Sequence, residues 1–215
     1  MKEINRTVMI FLIVMSVLSF SNLLKIDMNG ETVKPAGIMV FVGIAAYFIT
    51  RKTNDAKEEG LNIRKLAGDL KNIKVIILLI MPMIMNLVTS LIEKRFMPEV
   101  WTHIKERTGF LDTSQTAVTL VLLIILALGE EIALRGFFQK QTTKLMGFIP
   151  SLIITSIVFS MGHFAYDEPF IVAADLTEIF VNSIFYGLVF RETDNAWCSW
   201  LSHFLANVLA LFILL

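Results

Sequence analysis

Residues Ala117–Gln139 read AVTLVLLIILALGEEIALRGFFQ, an apolar run broken near its end by Glu130, Glu131 and Arg135. A helix of that length crosses the roughly 30 Å hydrocarbon core of a bilayer. The run is apolar all round rather than along one stripe, so its expected solvent is lipid. It also lacks the alternation of a membrane barrel strand, which leaves a helix. Charges at that depth cost several kcal/mol and are functional candidates for that reason.

The rest of the chain repeats the pattern. Apolar stretches cover Val8–Leu24, Pro35–Thr50, Val75–Ile92, Phe148–Phe164, Phe170–Phe190 and Ala196–Leu215. With the first run they predict an all-α, polytopic transmembrane helical bundle of about seven spans, six to eight as the range, in a single membrane domain over residues 1–215. Pro35–Thr50 and Phe148–Phe164 lie near the lower length limit for a span. Of the 215 residues, 55% are hydrophobic and 18% charged, too little polar surface for a soluble enzyme. Lys plus Arg and Asp plus Glu number 19 each, so no net charge points to a nucleic acid partner. The single cysteine, Cys198, excludes an internal disulfide and a multi-cysteine metal site.

Lys and Arg concentrate in segments that share one side if the N-terminus is cytoplasmic, among them Lys2, Arg6, Lys57, Lys140 and Arg191. Lys25, Lys34, Lys94, Arg95, Lys105 and Arg107 would lie on the other side. The stretch Arg51–Lys74 is the longest polar segment and reads as a solvated cytoplasmic loop or surface helix. Lys2 and Arg6 before an apolar run, with Ser19-Phe20-Ser21 after it, resemble a signal peptide, but a retained first span is the preferred reading. Trp101 and Trp197 read as interface anchors, and His103 as solvated in a polar loop. Met81, Met83 and Met85 around Pro82 read as helix filling beside a kink. Tyr166–Pro169 reads as a turn, with Pro169 starting the next helix.

The polar residues inside spans lie in the second half. Glu131 and Arg135 are four apart and correctly ordered for an ion pair on one helix face. Glu130 is turned away by about 100°, free for acid–base work. His163 follows Phe159 late in the fifth span, and His203 and Asn207 are one turn apart in the seventh. The turns near Lys144–Gly147 and Arg191–Asn195 fall on one side, which brings these residues to comparable depth. Such a set activates water against a carbonyl: Glu130 takes the proton, His163 orients or relays it, and His203 and Asn207 donate to an oxyanion. The alternative is a structural charge cluster that pins helices together. Asp175, Glu178 and Asn182 in the sixth span have no assigned role; they line a proton path or the same cavity.

Glu130-Glu131-x-x-x-Arg135, Phe159-x-x-x-His163 and His203-x-x-x-Asn207, in that order on separate spans, resemble the CAAX protease and bacteriocin-processing family, also called the Abi family. The resemblance covers about residues 117–215, a CAAX-protease-like catalytic region. It implies an intramembrane glutamic endopeptidase acting on a peptide or lipidated-protein substrate in the bilayer. Its catalytic residues would be Glu130, His163, His203 and Asn207, braced by Glu131, Arg135 and Phe159. It also implies a bacterial plasma membrane and no cofactor. Zinc held by a Glu and two His is the rival chemistry, although no His-Glu-x-x-His motif is present. The rival from another class is a non-catalytic bacteriocin-immunity or scaffold protein.

Overall fold

In a computed structural model the described residues are 5–24, 26–28, 31–33, 35–53, 60–109 and 116–214. Lys2, Lys25, Lys34 and Lys57 of the charge count, and residues 54–59 of the polar segment, lie outside them. The helices are α1 (Arg6–Phe20), α2 (Ala36–Thr53), α3 (Leu66–Asp69), α4 (Ile73–Phe96), α5 (Pro98–Arg107), α6 (Thr116–Glu131), α7 (Lys140–Met146), α8 (Phe148–Met161), α9 (Pro169–Thr193) and α10 (Ala196–Leu214). Between α1 and α2 the backbone makes a short antiparallel hairpin, Ile26–Met28 with Glu31–Val33.

The helices pack as a bundle with its apolar surface outward. α4 buries a narrow stripe, Val75, Leu79, Pro82, Asn86 and Glu93, while Ile77, Ile84, Val88 and Leu91 are exposed. α6 does the same with Thr119, Leu123, Ala127 and Glu131 inside and Val121 and Ile125 outside. Large apolar side chains on the outer surface of so many helices have lipid as their natural solvent. Among the described residues five helices are long and apolar enough to cross a membrane: Arg6–Leu23, Ile73–Phe96, Thr116–Met146, Pro169–Thr193 and Ala196–Ile213. Phe148–Met161 is apolar but shorter. It and α2 correspond to the two runs that the sequence marks as short. The protein is thus a multi-pass, all-α membrane bundle.

The centre of the bundle is a π-helical segment, Ile132–Gln139, continuous with α6 and α7. All eight of its residues are buried. A π-turn widens the helix and shifts the register of everything after it, a device that recurs at functional sites. α2 lies directly against this segment, and only a glycine allows the approach: a Cβ on Gly43 would stand 2.9 Å from Ala133 Cα. Phe11 of α1 meets Phe137 edge-on at 6.1 Å. Gly147, at φ +83°, ends α7 and reverses the chain into α8.

Where it is described, the Arg51–Lys74 segment is largely exposed, residues 63–65, 67, 68 and 71–74 among it, but it is also tied to the bundle. Gly60 bridges to Asn195, whose side chain exchanges hydrogen bonds with the Asn62 backbone (3.2 and 3.0 Å) and donates to Asp69 (3.0 Å). Asn195 is fully buried beneath this cover. The polar residues there serve as a lock on the α9–α10 turn, which spacing within the segment alone does not reveal. Lys140 pairs with Asp194 at 2.9 Å, so the α6–α7 arm and that turn do share one side.

Candidate active site

Glu130 and Glu131 close α6, and their surroundings differ sharply. Glu131 is fully buried, 3.3 Å from Arg135 Nη1. The ion pair expected from the spacing therefore forms even though the π-turn begins between its members. Arg135 donates through Nη2 to Ser183 O (3.0 Å) and Oγ (2.7 Å), and its guanidinium lies over the rings of Phe159 and Tyr186. The Glu130 side chain is 21% exposed and faces a cavity.

His203 from α10 stands between the two carboxyls. Its Nδ1 lies 3.0 Å from Glu131 Oε1 and its Nε2 3.6 Å from Glu130 Oε2. With Nδ1–H donated to Glu131, Nε2 is the atom offered toward Glu130 and the cavity. The ring is stacked on Tyr186 at 4.6 Å and met edge-on by Phe159 at 5.5 Å. His163 lies in the turn after α8, where its Nδ1 donates to Phe159 O at 2.9 Å and its ring rests on Phe159 at 4.7 Å. A carbonyl only accepts, so Nδ1 carries the hydrogen and Nε2 is the free edge. Phe159 thus touches both histidines and Arg135.

Glu130, His163, His203 and Asn207 line one cavity of about 200 Å³. Glu130, Phe159 and His163 also line a second one of about 240 Å³, whose far wall is Ala36, Gly37, Met39 and Val40 of α2. The four residues from three motifs therefore converge, with Glu130 and His163 at the boundary between two spaces. Among the described residues no three His, Cys, Asp or Glu side chains are grouped to hold a metal ion.

Part of the site is not foreshadowed by the motifs. Asn86, Glu93, Trp101 and Arg107 of the first half wall the first cavity, as do Glu178 and Asn182. Trp101 accordingly lines a cavity, with Lys94 over its ring at 5.0 Å. His103 is a correction. Instead of standing solvated in a loop, it is 4% exposed on α5, 2.8 Å from Asp167 and 3.4 Å from Asp175. Its burial follows from amphipathicity: Val100 and His103 are three apart on the inner face of a short helix that starts at Pro98. Asp175 holds Arg107 at 2.8 Å through Nε and 2.9 Å through Nη2. Asn182 donates to Asn86 at 2.6 Å, and Thr89 to Glu178 at 2.6 Å. Tyr186 had one signal in the sequence, a tyrosine in mid-span rather than at an interface.

Residues 112–209 match the model of a protein family described as type II CAAX prenyl endopeptidase Rce1-like. No curated protein and no solved structure matches the chain. The matched stretch, just under half of the chain, contains all three motifs and leaves α1–α5 outside. The resemblance to the CAAX protease family therefore holds for that stretch, and the reading it supports is a CAAX-type protease region within a multi-pass membrane protein.

Proposed function

We propose that the protein is an intramembrane endopeptidase that hydrolyses a peptide bond with a water activated by Glu130. The convergence of Glu130, His163, His203 and Asn207 on one cavity carries this reading. A water between Glu130 and the free Nε2 of His163 gives its proton to the Glu130 carboxylate as its oxygen attacks the scissile carbonyl carbon. The oxyanion that forms takes hydrogen bonds from the Asn207 amide and, when the ring is doubly protonated, from His203 Nε2–H. Collapse breaks the C–N bond, and Glu130 returns the proton to the leaving amine. No bond to the enzyme forms at any step.

Glu131 and Arg135 act through others: Glu131 fixes the tautomer and tilt of His203, and Arg135 holds Glu131. In this reading residues 117–215 supply the catalytic groups, while α4 and α5 complete the cavity wall. The substrate is a peptide or a lipidated protein reaching the site from the bilayer, with the N-terminus of the enzyme cytoplasmic in a bacterial plasma membrane.

The test is cleavage of quenched fluorescent peptides, prenylated and unmodified, by the purified chain in nanodiscs. Glu130→Gln and His163→Ala should each abolish cleavage without loss of fold, and a chelator should leave the wild-type rate unchanged. Chelator-sensitive cleavage restored by zinc would move the same residues to metal ligation. Retention of the cellular phenotype by both variants would favour a binding or immunity protein.

A further inference from the structure

The apolar spans Thr116–Met146 and Pro169–Thr193 end beside each other, and their last turns carry cations: Lys140 and Lys144 on the first, Arg191 on the second. With Phe148, Phe190 and Asp194 these line a cleft of about 330 Å³, where the turn between α7 and α8 faces the turn between α9 and α10. Lys140 is held by Asp194 at 2.9 Å. Glu192, next to Arg191 in the chain, is held by Lys74 at 2.7 Å. Lys144 reaches only the neutral Gln141 amide oxygen, at 3.4 Å. Among the described residues no carboxylate pairs with Lys144 or Arg191, and both are exposed.

Arg191 is nevertheless held in place. Its guanidinium carbon stands 4.7 Å from the centre of the Phe148 ring, a contact that positions the group and leaves its N–H edge for an acceptor. A guanidinium so placed suits a phosphate, which it forks with two N–H bonds, and an ammonium adds a point charge to the same anion. The charge of the cleft points the same way, with three cations against one carboxylate. Position selects the source of the phosphate. The ends of apolar spans lie at the level of the lipid headgroups, and Met146 and Ile149 beside the cleft expose apolar side chains to the lipid below them. A zwitterionic headgroup would bring a further cation into a cleft already rich in them.

We propose that this cleft binds the phosphate of an anionic membrane lipid such as phosphatidylglycerol, with Lys144 and Arg191 as its donors. The bound lipid joins the α7–α8 turn to the α9–α10 turn. From these turns α8 leads to His163 and α10 to His203, so the lipid fixes the spacing of the helices that build the candidate active site without touching its reacting groups. The lipid site stands whether or not the chain cleaves peptides.

The experiment titrates the full chain in dodecyl maltoside with phosphatidylglycerol or with phosphatidylcholine. Bound lipid is counted by native mass spectrometry, and the unfolding midpoint is followed in the same samples. Phosphatidylglycerol should be retained and should raise the midpoint, and phosphatidylcholine should do neither. Lys144→Gln and Arg191→Gln should each weaken phosphatidylglycerol binding by about fivefold, the worth of one cation at an anionic headgroup. Both positions are exposed, so the variants keep the fold. Lys71→Gln removes an exposed cation outside the cleft and should leave the affinity unchanged, a result that diffuse surface charge would not give. Equal retention of the two lipids, or equal weakening by Lys71→Gln and Lys144→Gln, would overturn the site. Inorganic phosphate alone should leave the midpoint where it is. A rise matching that with phosphatidylglycerol would overturn the lipid assignment and give the cleft to a soluble anion.

Discussion

At the end of α6, Glu130, Glu131 and Arg135 come from six consecutive residues, and Arg135 finds its carboxylate one turn away. At the corner of α4, α5 and α9, charge is collected from afar. Arg107 meets Asp175, His103 meets Asp167, and Glu93 stands beside Glu178. The first place is wrapped in aromatic rings, while the second opens toward a groove between α4 and α9. A cluster set by local spacing still draws partners from neighbouring helices, Ser183 of α9 for Arg135 and His203 of α10 for Glu131. A cluster assembled across three helices shapes a space between them.

Chemistry separates the two most strongly. Glu130→Gln should lower peptide hydrolysis by roughly 10²–10⁴-fold, the usual worth of a general base, as measured in single-turnover assays. The same amide substitution at Glu178, which lines the cavity wall and accepts from Thr89, should lower the rate far less. Equal losses at both positions would erase the distinction between a reacting carboxyl and one that lines the wall.

Stability separates them next. Arg135→Ala leaves Glu131 ionised and unpaired in a fully buried position, and should destabilise the bundle by about 3–5 kcal/mol in reversible detergent unfolding. Replacing both partners, with Glu131→Gln and Arg135→Met, should regain part of that loss without regaining activity, because His203 loses the negative charge beside its Nδ1. Arg107→Ala should cost less than Arg135→Ala, since its side chain is 15% exposed and water reaches the Asp175 left behind.

The two regions were also unequally legible. Spacing of three and four residues reports directly on one helix face, so the Glu131–Arg135 pair and the His203–Asn207 turn could be read from the chain. The apolar runs foretold the bundle because a bilayer imposes length and continuity on each span. Nothing comparable links Arg107 to Asp175 or Asn62 to Asn195, whose partners are more than sixty residues apart. His103 was misread for that reason: an inner face on a helix of ten residues carries too weak a period to stand out among charged neighbours. The π-turn was invisible because the sequence Ile132–Gln139 satisfies an α-helical reading equally well.

Packing around the π segment gives a smaller effect. Gly43→Val should cost about 1–3 kcal/mol, as overpacking does, because even the first added carbon meets Ala133. The loss should appear as a lower unfolding midpoint, with activity falling in proportion to the folded fraction. A valine tolerated without cost would mean that α2 can slide along the centre of the bundle, and the second cavity, which α2 walls, would then be of variable width.

The smallest effect belongs to the corner's outer edge. The backbone N–H of Glu168, and after it the His103 ring, hold the Asp167 carboxyl below the usual carboxylate range. A carboxyl depressed in the folded state adds stability at every pH above its unfolded value of about 4 and loses it as pH falls through the lower folded value. Asp167→Asn should therefore lower the unfolding midpoint slightly at neutral pH and make no difference in strong acid. Because Asp167 is solvent-exposed, the change is small, and it is best read as a difference in slope between the two pH profiles. The same variant removes the charge beside His103 Nδ1, leaving Asp175 as the only charged neighbour of the pair. If that loosens α5, the Arg107 wall moves with it, and the register of cleavage should blur before its rate declines. A pH profile identical to wild type, with unchanged cleavage register, would show that the outer carboxylate has no part in holding α5 against the site.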